Sequence, residues 1–397
     1  MSNQNPVFIP GPTNIPDRLR LAMHTQTSDH RAPDFVEVFS PILEDTKKVF
    51  GTTSGKVILY PATGTGGWEA AMSNLLAPGD KILVGRFGTF SERWVDLCER
   101  HGLDVHVIDV EWGRGSPADQ FAEILAADKN HEYKAVLATH CETATGVQSD
   151  VAAVRRGMDA SNHPAMLFVD CVSSLASMEF KMDEWGVDAA ISGSQKGFML
   201  MTGMAILCVS EKALEKIEGA NLPRTYFDFR DMLRANAAGG FPYTPPLQLI
   251  FGLGESLKML FEEGLDNVYA RHYRLAEGVR KAITDGWGFE LVAKTPELAS
   301  DTVSAIYVPD GKDSNELTEH AYNTYGVSFG IGLGQLNGKA FRIGHLGSLT
   351  DVMVLSGLAT IEMAMADLDY PIKLGSGVSA AQEYYRTSAR KALKSAA

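Results

Sequence analysis

Seven short apolar runs, separated by helix-sized segments, constrain this chain more than any other feature. They are VILYPA (57–62), KILVGR (81–86), DVHVIDV (104–110), AVLATH (135–140), MLFVDC (166–171), AAISGS (189–194) and AILCVS (205–210). Most are near-continuous rather than alternating, the pattern of strands covered on both faces. Strands alternating with helices in this way predict an α/β fold built on a mostly parallel, doubly wound sheet. The 397 residues, 45% of them hydrophobic, leave room for a second core.

Between about 211 and 265, Pro223, Gly239, Gly240, Pro242, Pro245 and Pro246 break regular structure. A helix starting near Pro246 then leads out of the first unit. Beyond it FELVAK, TVSAIYVP, VSFGIG and AFRIGHLG alternate with helices as a smaller α+β unit. Its last long helix would bury Val352, Leu355, Leu358, Ile361 and Met365. The expected division is an N-terminal arm over 1–21, a large domain over 22–265 and a small C-terminal domain over 266–397.

Charge narrows the partners. Acidic residues outnumber basic ones 49 to 36, and a net charge of −13 argues against nucleic acid and against a polybasic hold on membrane. The one local basic cluster, Arg386, Arg390, Lys391 and Lys394, reads as the solvated face of a terminal helix. Cys98, Cys141, Cys171 and Cys208 form no C-x-x-C pair and no zinc-ligand spacing with histidine, so no metal is expected. Buried reduced thiols in a reducing compartment are the plainer reading. The N-terminus has neither signal nor transit character and no window is long and apolar enough to span a bilayer, which predicts a cytoplasmic protein.

Chemistry concentrates where the apolar runs end. After VILYPA comes Ala62-Thr63-Gly64-Thr65-Gly66-Gly67-Trp68, opening a helix. Free amides at a helix start, with glycines allowing close approach, make a phosphate cradle, although an ordinary tight turn would look the same. A dinucleotide fingerprint would need glycine where Glu69 stands, and GTTSGKV (51–57) is one residue short of a P-loop. Phe90 follows KILVGR and could stack on a flat ligand, or simply be core. Thr143, in HCETATGV, could donate to a ligand oxygen or cap a helix.

The most specific pair is Asp170, ending MLFVDC, and Lys196, in AISGSQKGF. Both belong at the carboxyl ends of neighbouring strands, the ligand crevice of an open α/β sheet. An acid able to keep a pyridinium nitrogen charged, beside an amine able to form an imine, suits pyridoxal 5'-phosphate. A surface Asp and a surface Lys are the alternative, weakened because Gly193 and Gly197 flank Lys196 within an apolar stretch. Arg342, in GKAFRIGHLG, could grip a carboxylate through two parallel hydrogen bonds or form a structural ion pair.

PGPTNIP, ATGTGGWEAA, THCETATGV, FVDCVSSL, SGSQKGF, FPYTPP and FRIGHLG, in that order along the whole chain, resemble the class V aminotransferases. Within that class the chain is most similar to the alanine/serine/aspartate–glyoxylate branch. The resemblance implies fold type I and a homodimer with shared active sites. Lys196 would carry the cofactor, Asp170 would pair with its pyridine nitrogen, and Phe90 would stack on the ring, where the branch often has Trp. Thr63, Gly64, Thr65 and Gln195 would hold the phosphate, with Tyr243 and Thr244 reaching the neighbouring subunit's phosphate. Thr143 would contact the ring oxygen, Arg342 the substrate α-carboxylate, and Gly11 would help close the site.

The implied reaction is a ping-pong transfer of an amino group from a small amino acid to glyoxylate, making glycine. Aspartate is the favoured donor, with serine or alanine as the alternative. Aspartate needs a second cation, for which Arg31, His30, Arg86 and His345 are the candidates. A cysteine desulfurase would need a late nucleophilic cysteine, and none follows position 208. A non-catalytic protein of the same fold would have little reason to keep Lys196, Asp170 and Arg342 together.

Overall fold

In the computed structural model, which describes residues 5–395 and side chains through Ser388, the seven apolar runs form one sheet. The strands are β1 (Lys56–Tyr60), β2 (Lys81–Arg86), β3 (Asp104–Asp109), β4 (Tyr133–Thr139), β5 (Met166–Asp170), β6 (Ala189–Gly193) and β7 (Ala205–Val209). Their spatial order is β1-β7-β6-β5-β4-β2-β3. The pairs β2–β3, β2–β4, β4–β5 and β5–β6 are parallel, and β7 runs antiparallel to both its neighbours. Every residue of β5, β6 and β7 is buried, which is why these runs lack alternation. Strand β3, at one edge, is only partly covered.

Helices pack on both faces, and two glycines set how closely. A Cβ at Gly67, in the helix Gly64–Leu75, would lie 2.7 Å from Ile191 Cγ2 on β6. At Gly197 it would collide with the Leu175 carbonyl. The parallel strands therefore deliver their carboxyl ends to one crevice, bounded by residues 62–68, 87–90, 140–143, 170–173 and 193–197.

A second, antiparallel sheet has the order β8-β10-β9, from β8 (Val303–Tyr307), β9 (Gly330–Ile331) and β10 (Ala340–Gly344). Two expectations for this half are corrected. FELVAK is not a strand; only Leu291 bridges to Ile306. The helix Asp351–Asp367 buries Val354, Leu358, Ile361 and Met365, whereas Val352 is 76% exposed and Leu355 only half-buried. The buried set steps by four, three and four, tracking the 3.6-residue period; steps of three drift around the helix. Nor is that helix the last, because Ser376–Ser395 follows. Arg386 on it is exposed and paired with Glu383, while the side chains of Arg390, Lys391 and Lys394 lie outside the described residues.

Two elements tie the sheets together. The helix Leu265–Lys281 contributes Val268 to the core of the large sheet and Leu275 and Val279 to that of the small one. The N-terminal arm starts on the small sheet, where Phe8 stacks on Phe329 at 5.6 Å and the Gly344 amide donates to its carbonyl at 2.6 Å. It ends at the large sheet, where the Thr13 amide donates to the Gln195 carbonyl at 3.1 Å. Among the described residues no helix is long and apolar enough to cross a membrane.

Candidate active site

Five strand ends and the arm enclose a cavity of about 280 Å³. Gly11, Thr63, Gly64, Thr65, Phe90, Thr143, Asp170, Gln195 and Lys196 all line it. Those positions are up to 185 residues apart in the chain, and the parallel order of the sheet is what gathers them.

At one end, the helix Gly64–Leu75 begins with its amides unsatisfied. The first backbone bond back to the turn is from the Gly67 amide to the Thr63 carbonyl at 3.0 Å, and the Thr63 side chain does not cap. Close by, Gln195 Oε1 is buried without a partner. Free helix-start amides and two threonine hydroxyls make an anion cradle, to which Gln195 could add only its NH2, because its oxygen is an acceptor.

On the floor, Asp170 is buried and accepts one hydrogen bond, from the Val172 amide at 2.8 Å. Burial pushes its carboxyl up to about 7, so a cation placed against it would be needed to hold it ionised. Lys196 is also buried. Burial first, and the Arg342 guanidinium second, bring its ammonium down to about 8. Its Nζ donates to the Pro10 carbonyl. Gly11, at φ +103°, lets the arm lie on this side chain; a Cβ there would sit 2.6 Å from Lys196 Cδ.

The walls follow from local structure. Phe90 stands half-buried in the first turn of the helix Thr89–Arg100. Thr143 Oγ1 shares a 2.5 Å hydrogen bond with Ser173 Oγ. Arg342, in the middle of β10, is 6% exposed and holds only carbonyls: Nε donates to Ile331 at 2.9 Å and Nη1 to Thr143 at 3.0 Å. Among the described residues no carboxylate forms an ion pair with it, and Nη2 has no partner. A buried guanidinium in that condition keeps donors with which it could bind an anion.

Tyr243 and Thr244 are not brought to this cavity within the chain. Tyr243 Oη donates to the Thr225 carbonyl at 3.1 Å and to the Tyr226 carbonyl, with its ring stacked on Tyr226 at 4.8 Å; Thr244 is exposed. Two of the four candidate second cations are otherwise engaged. Arg86 pairs with Asp109 at 2.7 Å. His345 is buried between Ser304 and the Asp301 carbonyl, and burial drives it down to about 3, so it is neutral. Arg31 is exposed, and His30 Nε2 is buried without a partner.

Several site residues escaped the sequence reading: Ser173, Trp68, the Pro10 carbonyl and above all Glu142. Trp68 lines the cavity and stacks on Trp94 at 5.5 Å, so its apolar character alone made it look like core. Glu142 left no comparable signal, because it lies past the end of β4 with Thr139, His140 and Thr143 around it.

The cavity offers an anion cradle at one end, a carboxyl that wants a cation at its floor, the Lys196 amine and an aromatic wall. Pyridoxal phosphate carries the matching phosphate, basic ring nitrogen, aldehyde and flat ring. A protein from Paracoccus denitrificans described as L-aspartate–glyoxylate aminotransferase is 60% identical over 397 residues, all of both chains. A serine–glyoxylate aminotransferase from Hyphomicrobium methylovorum is 56% identical over 97% of this chain and 95% of its own. Among solved structures, pyridoxamine–pyruvate aminotransferase from Mesorhizobium loti superposes with a TM-score of 0.89 at 26% identity, covering 98% of this chain and 99% of that one. The family model for class-V aminotransferases matches residues 19–332, and this chain belongs to that family.

Proposed function

We propose that this aminotransferase moves the amino group of a small L-amino acid, aspartate in the favoured reading, to glyoxylate, giving glycine and oxaloacetate. The observation that carries the reading is Arg342, a buried guanidinium beside the cavity with no carboxylate of its own. Donor and acceptor both bring an α-carboxylate to such a group. Full-length likeness to the Paracoccus protein supports aspartate.

Its cofactor is pyridoxal phosphate, held in this reading by Thr63, Gly64, Thr65 and Gln195 at the phosphate and by Phe90 and Thr143 at the ring. When bound, it supplies an electrophilic carbon for the amine and an electron sink that loosens the donor's Cα–H bond. Asp170 keeps the ring nitrogen protonated by offering it a negative charge in a low-dielectric pocket. Lys196, held near neutrality by its burial, takes the proton from the donor Cα and returns one on the other side of the transfer. Arg342 orients the substrate, and Gly11 keeps the arm close enough to exclude water. The donor's oxo acid leaves before glyoxylate binds, which is ping-pong kinetics.

We place the working form as a homodimer in which Tyr243 and Thr244 serve a second copy's phosphate, in the cytoplasm, where four buried free thiols stay reduced. A serine donor is the second reading. It is favoured by the engagement of Arg86 and His345, and by the absence of Arg31 and His30 from the residues lining the cavity. The deciding experiment measures kcat/KM for aspartate, serine and alanine against glyoxylate, with Lys196→Ala alongside. Aspartate should lead, and the variant should lose the borohydride-sensitive visible absorption of the loaded enzyme with turnover down by orders of magnitude. Unimpaired turnover in Lys196→Ala would sink the mechanism.

A further inference from the structure

Glu142 is 0% exposed, and no lysine or arginine forms an ion pair with it among the described residues. Burial pushes its carboxyl above the ordinary range, and backbone amides rather than a cation oppose that push. The Ser91 amide donates to Oε2 at 2.9 Å, and the amides of Phe90 and Ala144 donate to Oε1 at 3.3 and 3.0 Å. The carboxylate thus sits under the first turn of the helix Thr89–Arg100, where the dipole favours an anion. Gly88 leaves space for it; a Cβ there would collide with the Glu142 carboxyl.

The next residue along joins this carboxylate to the other half of the site. Thr143 gives its carbonyl to Arg342 Nη1 at 3.0 Å and its hydroxyl to Ser173, while Ser173 and Phe90 share the cavity wall. One buried acid therefore touches the turn that carries the aromatic wall and, through one peptide unit, the guanidinium. It is also the negative charge whose field steadies the buried Arg342 ion.

We propose that Glu142 is a positioning residue that holds Phe90 against the cofactor and Arg342 against the substrate carboxylate in a single fixed relation. Charge is essential to that task. A glutamine could still accept from Phe90 and Ala144, but its NH2 would face the Ser91 amide, donor against donor. The inference rests on the aminotransferase reading above.

The test compares wild type with Glu142→Gln. Three quantities are read: KM for donor and for glyoxylate, the dissociation constant of pyridoxal phosphate from the cofactor-free enzyme by absorbance titration, and the melting temperature. Both KM values should rise at least fivefold and the cofactor constant should rise with them, while kcat changes less. In an Arg342→Ala background the same change should add less than twofold to KM, because the clamp it positions is gone. A lower melting temperature with unchanged KM and cofactor constants would make Glu142 a structural carboxylate only and overturn the proposal.

If Glu142→Gln does not fold, Gly88→Ala takes its place, since its methyl pushes on the carboxyl without removing the charge. The same rises are expected, and unchanged constants would be equally fatal. A wild type that moves no amino group to glyoxylate would defeat the functional reading instead, and the cofactor titration would still decide the role of Glu142.

Discussion

Asp170 and Lys196 are pushed toward neutrality from opposite sides by the same cause, burial, and this has a sign that can be measured. In the cofactor-free protein the Asp170 carboxyl titrates near 7 rather than at its usual 3.8. Across that window the folded state binds more protons than the unfolded state, so this group's contribution to stability falls as pH rises. Lys196 titrates near 8 instead of 10.5, so across that higher window the unfolded state binds more protons and stability rises with pH. Asp170→Asn should remove the first effect. Urea unfolding of the cofactor-free proteins at pH 5 and pH 7 should show the variant gaining on wild type as pH rises. A constant difference would mean that Asp170 titrates normally. At this scale the sequence was readable wherever a polar residue interrupts an apolar run, as at Asp170 and Lys196. Glu142 carried no such mark, because Thr139, His140 and Thr143 around it are polar as well. Only its three backbone donors single it out.

At the scale of elements, the large sheet was legible because its strands are buried on both faces and so lack polar punctuation. The small sheet was legible in TVSAIYVP, VSFGIG and AFRIGHLG, and only FELVAK misled, with apolar residues enough for a strand but a single bridge to use them in. Glu362 shows how such an irregular half is held. Buried on the helix Asp351–Asp367, it accepts from Trp287 Nε1 at 2.8 Å and from the amides of Gly375, Gly377 and Val378 at 2.7, 2.6 and 3.2 Å. That single carboxylate fastens Gly375 and the first turn of the C-terminal helix. Glu362→Ala would strand these donors and should cost at least about 2–4 kcal/mol. Equilibrium urea unfolding checks this, and a loss under about 0.5 kcal/mol, the range of ordinary surface changes, would show that water takes over the donors.

For the whole molecule, the question is what completes the site. Tyr243 bonds to carbonyls of its own chain and lines no part of the cavity. If its hydroxyl serves a second copy's phosphate, Tyr243→Phe should weaken cofactor binding about threefold to tenfold, the worth of one hydrogen bond of roughly 0.5–1.5 kcal/mol. Titration of the cofactor-free enzyme reads this directly, and an unchanged constant would confine Tyr243 to its contacts with the 225–226 turn. The sequence by itself determined the strand–helix alternation and, through Asp170 and Lys196, the cofactor. Both are written locally, one in the burial of short segments and the other in polar residues that interrupt them. Tertiary structure decided which groups meet. Arg342 bonds to the carbonyl of the cavity-lining Thr143 with no ion-pair partner among the described residues, Arg86 and His345 are spent elsewhere, and Glu142 lies beneath Phe90. Such pairings depend on the order of strands across the sheet and on the path of the arm, and no local pattern encodes either.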